Sequence, residues 1–455
     1  MSSAEQRPDQ RERFSAPDQP DERVVRRAVA GAAMGNAVEW FDYAIYSYLA
    51  ASIGINFFPS GNPTTTTLLT FSGIAIPFAL RPLGGIVLGP LGDKFGRRRV
   101  LSLTILFMSG ATFAIGLIPN HTAIGLAAPV LLVLLRLIQG FSTGGEYGGA
   151  ATFIAEYAPD RRRGFYGSFL EFGTLGGYVL GAGLATLFQL SLTADALNSW
   201  GWRIPFLMAA PLGLVGFYLR TKLEDTPAFQ QLSHGEPQSV PLAEMISINW
   251  RQILNLIGIV ILLNVADYTV LTYMPTYLTQ VLKINDAESN LALIGVMLVM
   301  MLFISPVGAL SDRIGRKPVL LTAAIGFLVL SWPAVALINL KTPLPVTVGL
   351  AILGVLLLLM LGTIGSTFPA MFPTRHRYGA FSIGYSVSTA IFGGTAPIVI
   401  TKLIAVTGST TIPAYYIMGA AVVAILPIVL MPETARLSIA HATEIPGSKA
   451  EALAR

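Results

Sequence analysis

Two acidic residues stand inside a stretch that otherwise resembles a membrane-spanning helix. The segment "GNAVEWFDYAIYSYL", residues 35–49, places Glu39 and Asp42 three positions apart among aromatic and aliphatic residues. A charged side chain at the bilayer centre costs about 2.5 to 3.5 kcal/mol on the mildest scale, so such acids persist mostly where they line a pathway or find a partner. The chemistry that fits a buried carboxyl group is the uptake and release of a proton.

Helical spacing places Asn36, Glu39, Tyr43 and Tyr46 on one face of this segment, with Asp42 at its margin. We expect this face to line a polar interior, with Glu39 as the first candidate for proton coupling and Asp42 as the second. The alternative, that either acid forms a fixed ion pair or caps a kinked helix, stays open.

Two further acids lie deep in apolar stretches. Glu146 sits in a glycine-rich run, and Asp267 lies in "LLNVADYTVLTYMPTYL". Glycines spaced by four residues allow helices to approach closely, so the runs within 140–149 and 173–181 predict that their two helices meet. Glu146 then either takes part in a proton route or bridges helices, and Asp267 is a further candidate for proton coupling.

Basic and aromatic residues supply candidate groups for a bound solute. Arg136 or Arg81 would attract a carboxylate, unless either pairs with an acid such as Glu146. Electron-rich rings would hold a quaternary ammonium, although an aromatic residue in an apolar span more often only packs. The candidate rings are those of Phe41, Tyr43, Tyr46, Tyr268, Tyr273 and Tyr277.

The composition excludes several classes of function. The 455 residues are 53% hydrophobic and 12% charged, with a mean hydropathy of +0.63, which is typical of a membrane protein. Cysteine is absent and the four histidines lie apart, so we expect no metal site, no cofactor and no enzyme chemistry. The basic residues fall between apolar runs rather than in one patch, which argues against nucleic acid as a partner.

Apolar stretches long enough to cross about 30 Å of hydrocarbon recur along the chain. They predict an all-α membrane protein with twelve spans near 28–54, 66–91, 100–118, 124–150, 164–190, 204–220, 251–281, 290–310, 318–339, 345–368, 378–404 and 413–431.

Every second connection is basic: "DKFGRRR", "PDRRR", "SDRIGRK" and "PTRHR". By the positive-inside rule, both termini are predicted to be cytoplasmic. The longest polar connection divides the spans six and six. The expected organisation is a cytoplasmic segment (1–27), a first six-helix half (28–220), a cytoplasmic loop (221–250), a second half (251–431) and a short cytoplasmic tail (432–455).

The two halves repeat each other. "GPLGDKFGRRR" at 89–99 matches "GALSDRIGRKP" at 308–318, and "AEYAPDRRRGFYGS" at 155–168 is echoed by "PAMFPTRHRYGAFS" at 369–382. Duplicated halves are typical of transporters that rock about a site near the midplane. In the first pair of loops, ion pairs on tight turns would hold one closed state. The residues of these gating loops are Gly89, Asp93, Arg97, Arg98, Gly308, Asp312 and Arg316.

These paired loops resemble the signature of the major facilitator superfamily. "GNAVEWFDYAIY", "RPLGG", "QGFSTGGEYGGA", "PDRRRGFYGSF" and "GWRIPF" resemble its metabolite:proton symporter family. "LTYMPTYL", "TPAFQQ", "PAMFPT" and "PAYYIM" are most similar to the osmoprotectant branch, the proline/glycine betaine:proton symporters.

The resemblance implies a multi-pass protein of the cell membrane that works as a monomer in the lipid bilayer and takes up a small zwitterionic solute with protons. A proton symporter of an organic acid such as 2-oxoglutarate, shikimate or citrate is the alternative, and a passive uniporter or channel is a further one. The resemblance does not supply Asp267. An extra acid there favours a cationic or zwitterionic solute, or adds a second titrating site.

Overall fold

The computed structural model describes residues 22–95, 97–221, 242–373 and 377–435, and throughout these ranges the chain is helical with no β-strand. The first half contains α1 (Glu22–Tyr48), α2 (Ala50–Phe57), α3 (Pro63–Phe95), α4 (Arg97–Leu117), α5 (His121–Ile124), α6 (Ala127–Thr143), α7 (Glu146–Tyr157), α8 (Arg163–Ser191), α9 (Ala194–Ala196), α10 (Arg203–Leu207) and α11 (Ala209–Thr221). The second half contains α12 (Leu242–Asp267), α13 (Met274–Thr276), α14 (Asp286–Ile314), α15 (Arg316–Ile338), α16 (Pro343–Ala370), α17 (Arg377–Ser388), α18 (Ala396–Thr407) and α19 (Ile412–Leu430).

Short turns of other helical types join some of these helices. Asp160–Arg162 is a 3₁₀ turn before α8, and π-helical turns cover Leu197–Gly201, Tyr268–Tyr273, Tyr277–Val281 and Thr389–Gly393. The second and third of these flank α13, so α12 continues as one helical run to Val281. Turns of this type often occur at functional sites.

Each of the twelve predicted spans coincides with a helix or a continuous helical run. Eight helical segments of the described residues are long and apolar enough to cross a membrane: Pro63–Leu88, Ala127–Tyr157, Glu244–Val281, Asp286–Ile314, Arg316–Ile338, Pro343–Ala370, Arg377–Thr407 and Ile412–Leu430. The other four predicted spans correspond to α1 with α2, α4, α8, and α10 with α11, which are less apolar or shorter.

The predicted domain boundaries differ slightly from the helices. α1 begins at Glu22, within the predicted N-terminal segment, and α12 begins at Leu242, within the predicted central loop. The remainder of these two segments, and the tail from 436 onward, lie outside the described residues.

The two halves repeat one pattern of helix pairing. In the first half, α1 packs against α8, α3 against α6, and α4 against α11. In the second half, the helices at the same positions along the chain pair in the same way, α12 with α17, α14 with α16, and α15 with α19. The halves meet where α8 packs against α14 and α16, and where α3 packs against α17 and α18.

The two helices do meet, because the hydroxyl of Tyr147 on α7 donates to Glu171 on α8, but the two glycine runs do not face each other. A Cβ added at Gly140 would lie 2.0 Å from the carbonyl oxygen of Pro77, which shows that this run packs against α3. A Cβ at Gly173 would lie 2.2 Å from the carbonyl oxygen of Ala33 on α1. Both runs allow close helix contact, as expected of glycine, but each has a different partner helix.

Candidate functional site

The two acids of α1 are both paired with arginines in the interior. Glu39 forms an ion pair with Arg81 of α3, and Asp42 binds Arg136 of α6 at 2.5 Å. All four side chains are at most 2% exposed. The sequence left open whether either arginine pairs with Glu146; the structure instead places both arginines on the acids of α1.

Arg136 is held from several sides. Its Nη1 donates to Asp42 and, at 2.9 Å, to Oε1 of Gln139, whose Nε2 donates to Oδ1 of Asp42 (2.9 Å) and to Thr112 (2.7 Å). Its guanidinium carbon lies 3.9 Å from the ring centre of Tyr46. The buried Nε and Nη2 of Arg136 have no hydrogen-bond partner in the described part of the chain. One edge of this guanidinium is therefore not used by any side chain or carbonyl group of the described residues.

Four aromatic rings form a closed circuit beside the ion pairs. The ring centroids of Trp40 and Tyr43 lie 5.3 Å apart, those of Tyr43 and Phe78 5.3 Å, those of Phe78 and Tyr268 5.4 Å, and those of Tyr268 and Trp40 5.8 Å. We call these four residues the ring quartet. Three of them come from the first half and Tyr268 comes from the second, so the quartet joins the halves.

Polar edges of the quartet lack partners. Nε1 of Trp40 and the hydroxyl of Tyr268 are buried without a hydrogen bond among the described residues. The guanidinium carbon of Arg81 lies 5.2 Å from the ring centre of Phe78, so the Glu39–Arg81 pair borders the quartet.

Other predicted ligand residues lie elsewhere. Asn36 donates to the carbonyl of Leu170 (2.9 Å) and to Thr174 (2.6 Å), so it faces α8. A Cβ at Gly177 would lie 2.8 Å from the amide nitrogen of Phe41, which places Phe41 on the same packed face. The predicted shared face of Asn36 and Glu39 is therefore divided between α8 and α3.

Tyr273 and Tyr277, near the end of the helical run that begins with α12, already contact other side chains. The Tyr273 ring lies 5.8 Å from that of Phe71, again across the two halves. The Tyr277 hydroxyl donates to Oδ1 of Asn339 (3.1 Å) and to the carbonyl of Thr410 (2.6 Å), so this residue is tied to the second half alone.

Glu146 and Asp267 are both buried, at 1% and 5% exposure. Glu146 begins α7, and Asp267 ends α12 immediately before the π-helical turn that carries Tyr268. A third buried acid, Glu171 of α8, accepts hydrogen bonds from the hydroxyls of Tyr147 (2.6 Å) and Thr174 (2.7 Å).

The second gating loop links the two halves at the end of the molecule that carries the basic connections. The carboxylate of Asp312 accepts from the amides of Gly164 (2.8 Å) and Phe165 (3.0 Å), at the start of α8. Arg316 donates to Asp312 at 2.5 Å, so the second gating loop contains an ion pair. A Cβ at Gly308 would lie 2.4 Å from the carbonyl oxygen of Gly164, so glycine is required for this close contact.

Further contacts between the halves occur at both ends. Arg377 binds Glu156 at 3.3 Å at the basic end. At the opposite end, Thr67 donates to Gln280 (3.1 Å) and Asn290 donates to Gln189 (2.8 Å). The side chains of the first gating loop, at Gly89, Asp93, Arg97 and Arg98, lie outside the described residues.

Several residues of this interior were not predicted from the sequence. Trp40 and Phe78 complete the ring quartet, Tyr178 adds a ring 5.4 Å from Trp40, and Gln139 holds the Asp42–Arg136 pair. The available signal was positional, because Trp40 is next to Glu39, and Gln139 lies three residues after Arg136.

Two six-helix halves that close on a charged and aromatic interior define the class of secondary membrane transporters. Residues 28–240 match the family profile described as "Sugar (and other) transporter", and residues 256–451 match that of the "Major Facilitator Superfamily". The chain belongs to the major facilitator superfamily and is therefore not an enzyme.

Relatives extend over nearly the whole chain. It is 43% identical to the proline/betaine transporter of Salmonella typhimurium over 434 residues, which cover 93% of this chain and 86% of the relative. It is 42% identical over 443 residues to the glycine betaine/proline/ectoine/pipecolic acid transporter OusA of Dickeya dadantii, with 95% and 88% covered.

Solved structures share the fold at low sequence identity. The proton:xylose symporter XylE bound to 6-bromo-6-deoxy-D-glucose superposes with a TM-score of 0.77 at 18% identity, covering 92% of this chain and 98% of that chain. A partially occluded inward-open form of XylE from E. coli gives 0.71 at 18% identity, with 90% and 99% covered. These likenesses concern the fold alone.

Proposed function

We propose that the protein takes up a small zwitterionic compatible solute, of the proline and glycine betaine type, together with protons by alternating access. The observation that carries this proposal is the ring quartet together with Arg136. The quartet residue Tyr43 directly follows Asp42, and Asp42 binds Arg136, whose guanidinium has one unpartnered edge among the described residues. The names of the relatives at 40–43% identity support the same class of solute.

The quartet suits the cationic end of such a solute. A quaternary ammonium cannot donate a strong hydrogen bond, so it is recognised by ring faces, each contact being worth about 2 kcal/mol or more when desolvated. Trp40, Tyr43, Phe78 and Tyr268 present such rings from both halves. A solute held between halves stabilises their closed arrangement, as alternating access requires.

Arg136 suits the anionic end. Its Nη1 is occupied by Asp42 and Gln139, whereas Nε and Nη2 have no partner among the described residues. These two nitrogens form one edge of the planar guanidinium, and such an edge binds a carboxylate through two parallel hydrogen bonds. The ring of Tyr46 holds this guanidinium in place.

The proton is carried on a buried carboxyl group, for which Glu39, Asp42, Glu146 and Asp267 are the candidates from sequence. Asp93 and Asp312 with their arginines form the gate of the basic end. We assign that end to the cytoplasm because every second connection is basic, which places both termini inside a multi-pass protein of the cell membrane. A monomer contains both halves of the site.

Purified protein in proteoliposomes tests this proposal. Labelled betaine, proline and 2-oxoglutarate are offered with and without an inward proton gradient. Accumulation of betaine or proline above its equilibrium level only with the gradient is expected. Accumulation of 2-oxoglutarate alone would identify an organic-acid symporter, and equilibration of betaine that ignores the gradient would identify a passive uniporter.

A further inference from the structure

Two buried acids, Glu171 and Asp267, differ from the acids on α1 because neither forms an ion pair with a basic residue of the described ranges. Glu39 and Asp42 are each bound to an arginine. In the ranges that the structure describes, neither Glu171 nor Asp267 has a lysine, arginine or histidine nitrogen within ion-pair distance. An arginine keeps a carboxyl group ionised, whereas a carboxyl group buried without a cation favours the neutral form.

These two acids belong to opposite halves and lie along the contact between them. Glu171 lies on α8 and Asp267 ends α12, and two ionised carboxylates at this contact would repel each other. The hydroxyls of Tyr178 on α8 and Thr272 in the π-helical turn lie 2.6 Å apart, which fixes the two elements against each other. The rings of Tyr147 and Tyr385 stack at 4.2 Å beside Glu171, again across the halves.

The charged and titratable groups around the two acids come from six helical elements. Tyr178 of α8, Tyr147 of α7, Tyr385 of α17 and Tyr268 of the π-helical turn act directly on one acid or the other. Tyr43 of α1 and Arg81 of α3 act on Tyr268, and Arg81 is itself paired with Glu39. Two like charges in a buried site where neither acid has a cation as its partner cannot both persist at low cost.

The hydrogen bonds indicate which acid holds the proton. Both oxygens of Glu171 accept hydrogen bonds, Oε1 from Tyr147 and Oε2 from Thr174. Such donors stabilise an ionised carboxylate. Oδ1 of Asp267 is buried and has no partner among the described residues. A proton on Asp267 leaves Glu171 ionised and removes the repulsion.

We propose that Asp267 and Glu171 form a carboxyl pair between the two halves that carries the transported proton, with the proton on Asp267 when the halves are closed. The proton enters from water on the outer side, adds to Asp267, and leaves to water on the cytoplasmic side when the halves separate. No other bond forms or breaks. This inference rests on the proton coupling proposed above and assigns it to a pair different from the ion pairs of α1.

The test compares three variants of the full chain in proteoliposomes. Asp267→Asn should lose accumulation driven by the proton gradient, falling to the level that the wild type reaches without a gradient, while betaine exchange across the membrane continues and no longer varies with pH. Glu171→Gln should move the pH midpoint of exchange to lower pH, because the neighbouring negative charge is gone. Asp286→Asn, in the first turn of α14, is the matched control and should behave as the wild type.

Three outcomes are decisive. Wild-type protein that ignores the gradient would defeat the proposed function itself. Wild-type accumulation that is matched by Asp267→Asn would overturn only the carboxyl pair. If Asp267→Asn does not yield a monodisperse protein, Glu171→Gln decides, since an unchanged pH midpoint of exchange overturns the pair.

Discussion

The guanidinium of Arg136 lies 3.9 Å from the ring centre of Tyr46. The same guanidinium binds Asp42, while its Nε and Nη2 remain without a partner in the described residues. The sequence suggested that Tyr43 and Tyr46 both offer their rings to a solute, but the ring of Tyr46 is instead taken by Arg136. This ring supports the residue that we propose to bind the solute carboxylate.

Replacing Tyr46 should consequently weaken any carboxylate solute. A cation–π contact of a desolvated guanidinium is worth about 2 kcal/mol, so Tyr46→Leu should raise the half-saturation concentration for uptake by about tenfold or more. Tyr46→Phe keeps the ring and loses only the hydrogen bond to the Thr70 carbonyl (3.0 Å), so its effect should be smaller. Equal losses in both variants would assign the effect to the hydroxyl.

The Glu39–Arg81 pair should matter for stability. Removing one partner of a buried ion pair leaves the other charge uncompensated and costs about 3 to 5 kcal/mol. Glu39→Gln should therefore lower the Tm of the protein in detergent, and the double variant Glu39→Gln with Arg81→Gln should recover part of that loss. A double variant less stable than Glu39→Gln alone would show that Arg81 has a further partner that outweighs the acid.

Glycine packing gives a matched pair of substitutions. A Cβ at Gly140 would lie 2.0 Å from the backbone carbonyl of Pro77, whereas a Cβ at Gly110 on α4 meets nothing within 4 Å. Gly140→Ala should destabilise the protein by about 1 to 3 kcal/mol, as overpacking does. Gly110→Ala should leave stability unchanged or raise it by about 0.5 to 1 kcal/mol through helix propensity. Thermal unfolding in detergent measures both, and equal Tm values would contradict the close packing of α3 and α6.

The twelve spans were predictable because the length of an apolar run is a local property of the sequence. An ion pair in the second gating loop was predictable for the same reason, since Asp312 and Arg316 lie four positions apart across the turn at Gly315. The pairing of Glu39 with Arg81 was not predictable. Arg81 and Arg136 can each form an ion pair with Glu39, and only the packing of α1, α3 and α6 decides between them.

Glycine and aromatic residues show a similar limit. The spacing of the glycines indicates that a helix is approached closely, but not by which helix, so the packing of Gly140 against α3 could not be predicted. In the sequence, Phe78 cannot be told apart from an aromatic residue that only packs. Its ring lies 5.3 Å from that of Tyr43, and this contact places it in the ring quartet. Glu171 could not be singled out from the sequence, because its bonds to Tyr147 and Thr174 and its place at the contact between the halves depend on how α7 and α8 pack.

The contact of Asp312 with the start of α8 predicts a change in gating. Asp312→Asn should weaken the hold on the Gly164 and Phe165 amides and on Arg316, so the basic end should open more often and the transport cycle should slow, with substrate affinity nearly unchanged. The Ser382 hydroxyl faces Gly148 between the halves. Because the chain contains no cysteine, Ser382→Cys introduces a single thiol, and its reactivity reports how often the halves separate there.

The rate at which a water-soluble maleimide labels that thiol should rise when Asp312→Asn is added, and should stay the same when Asp286→Asn is added. A normal labelling rate together with a much weaker substrate affinity would place Asp312 in the binding site instead of the gate.

The ring quartet and Arg136 together predict how the protein discriminates between solutes. Betaine and a dicarboxylate share a carboxylate, but only betaine carries a quaternary ammonium. Trp40→Leu and Tyr268→Leu remove ring faces worth about 2 kcal/mol each when desolvated, so they should weaken betaine more than 2-oxoglutarate as competitors of labelled proline uptake. Arg136→Gln should weaken both, because its open edge binds the group that they share. If 2-oxoglutarate competes well, betaine does not compete and the ring substitutions have no effect, the solute is an organic acid, and the quartet serves only to pack the two halves together.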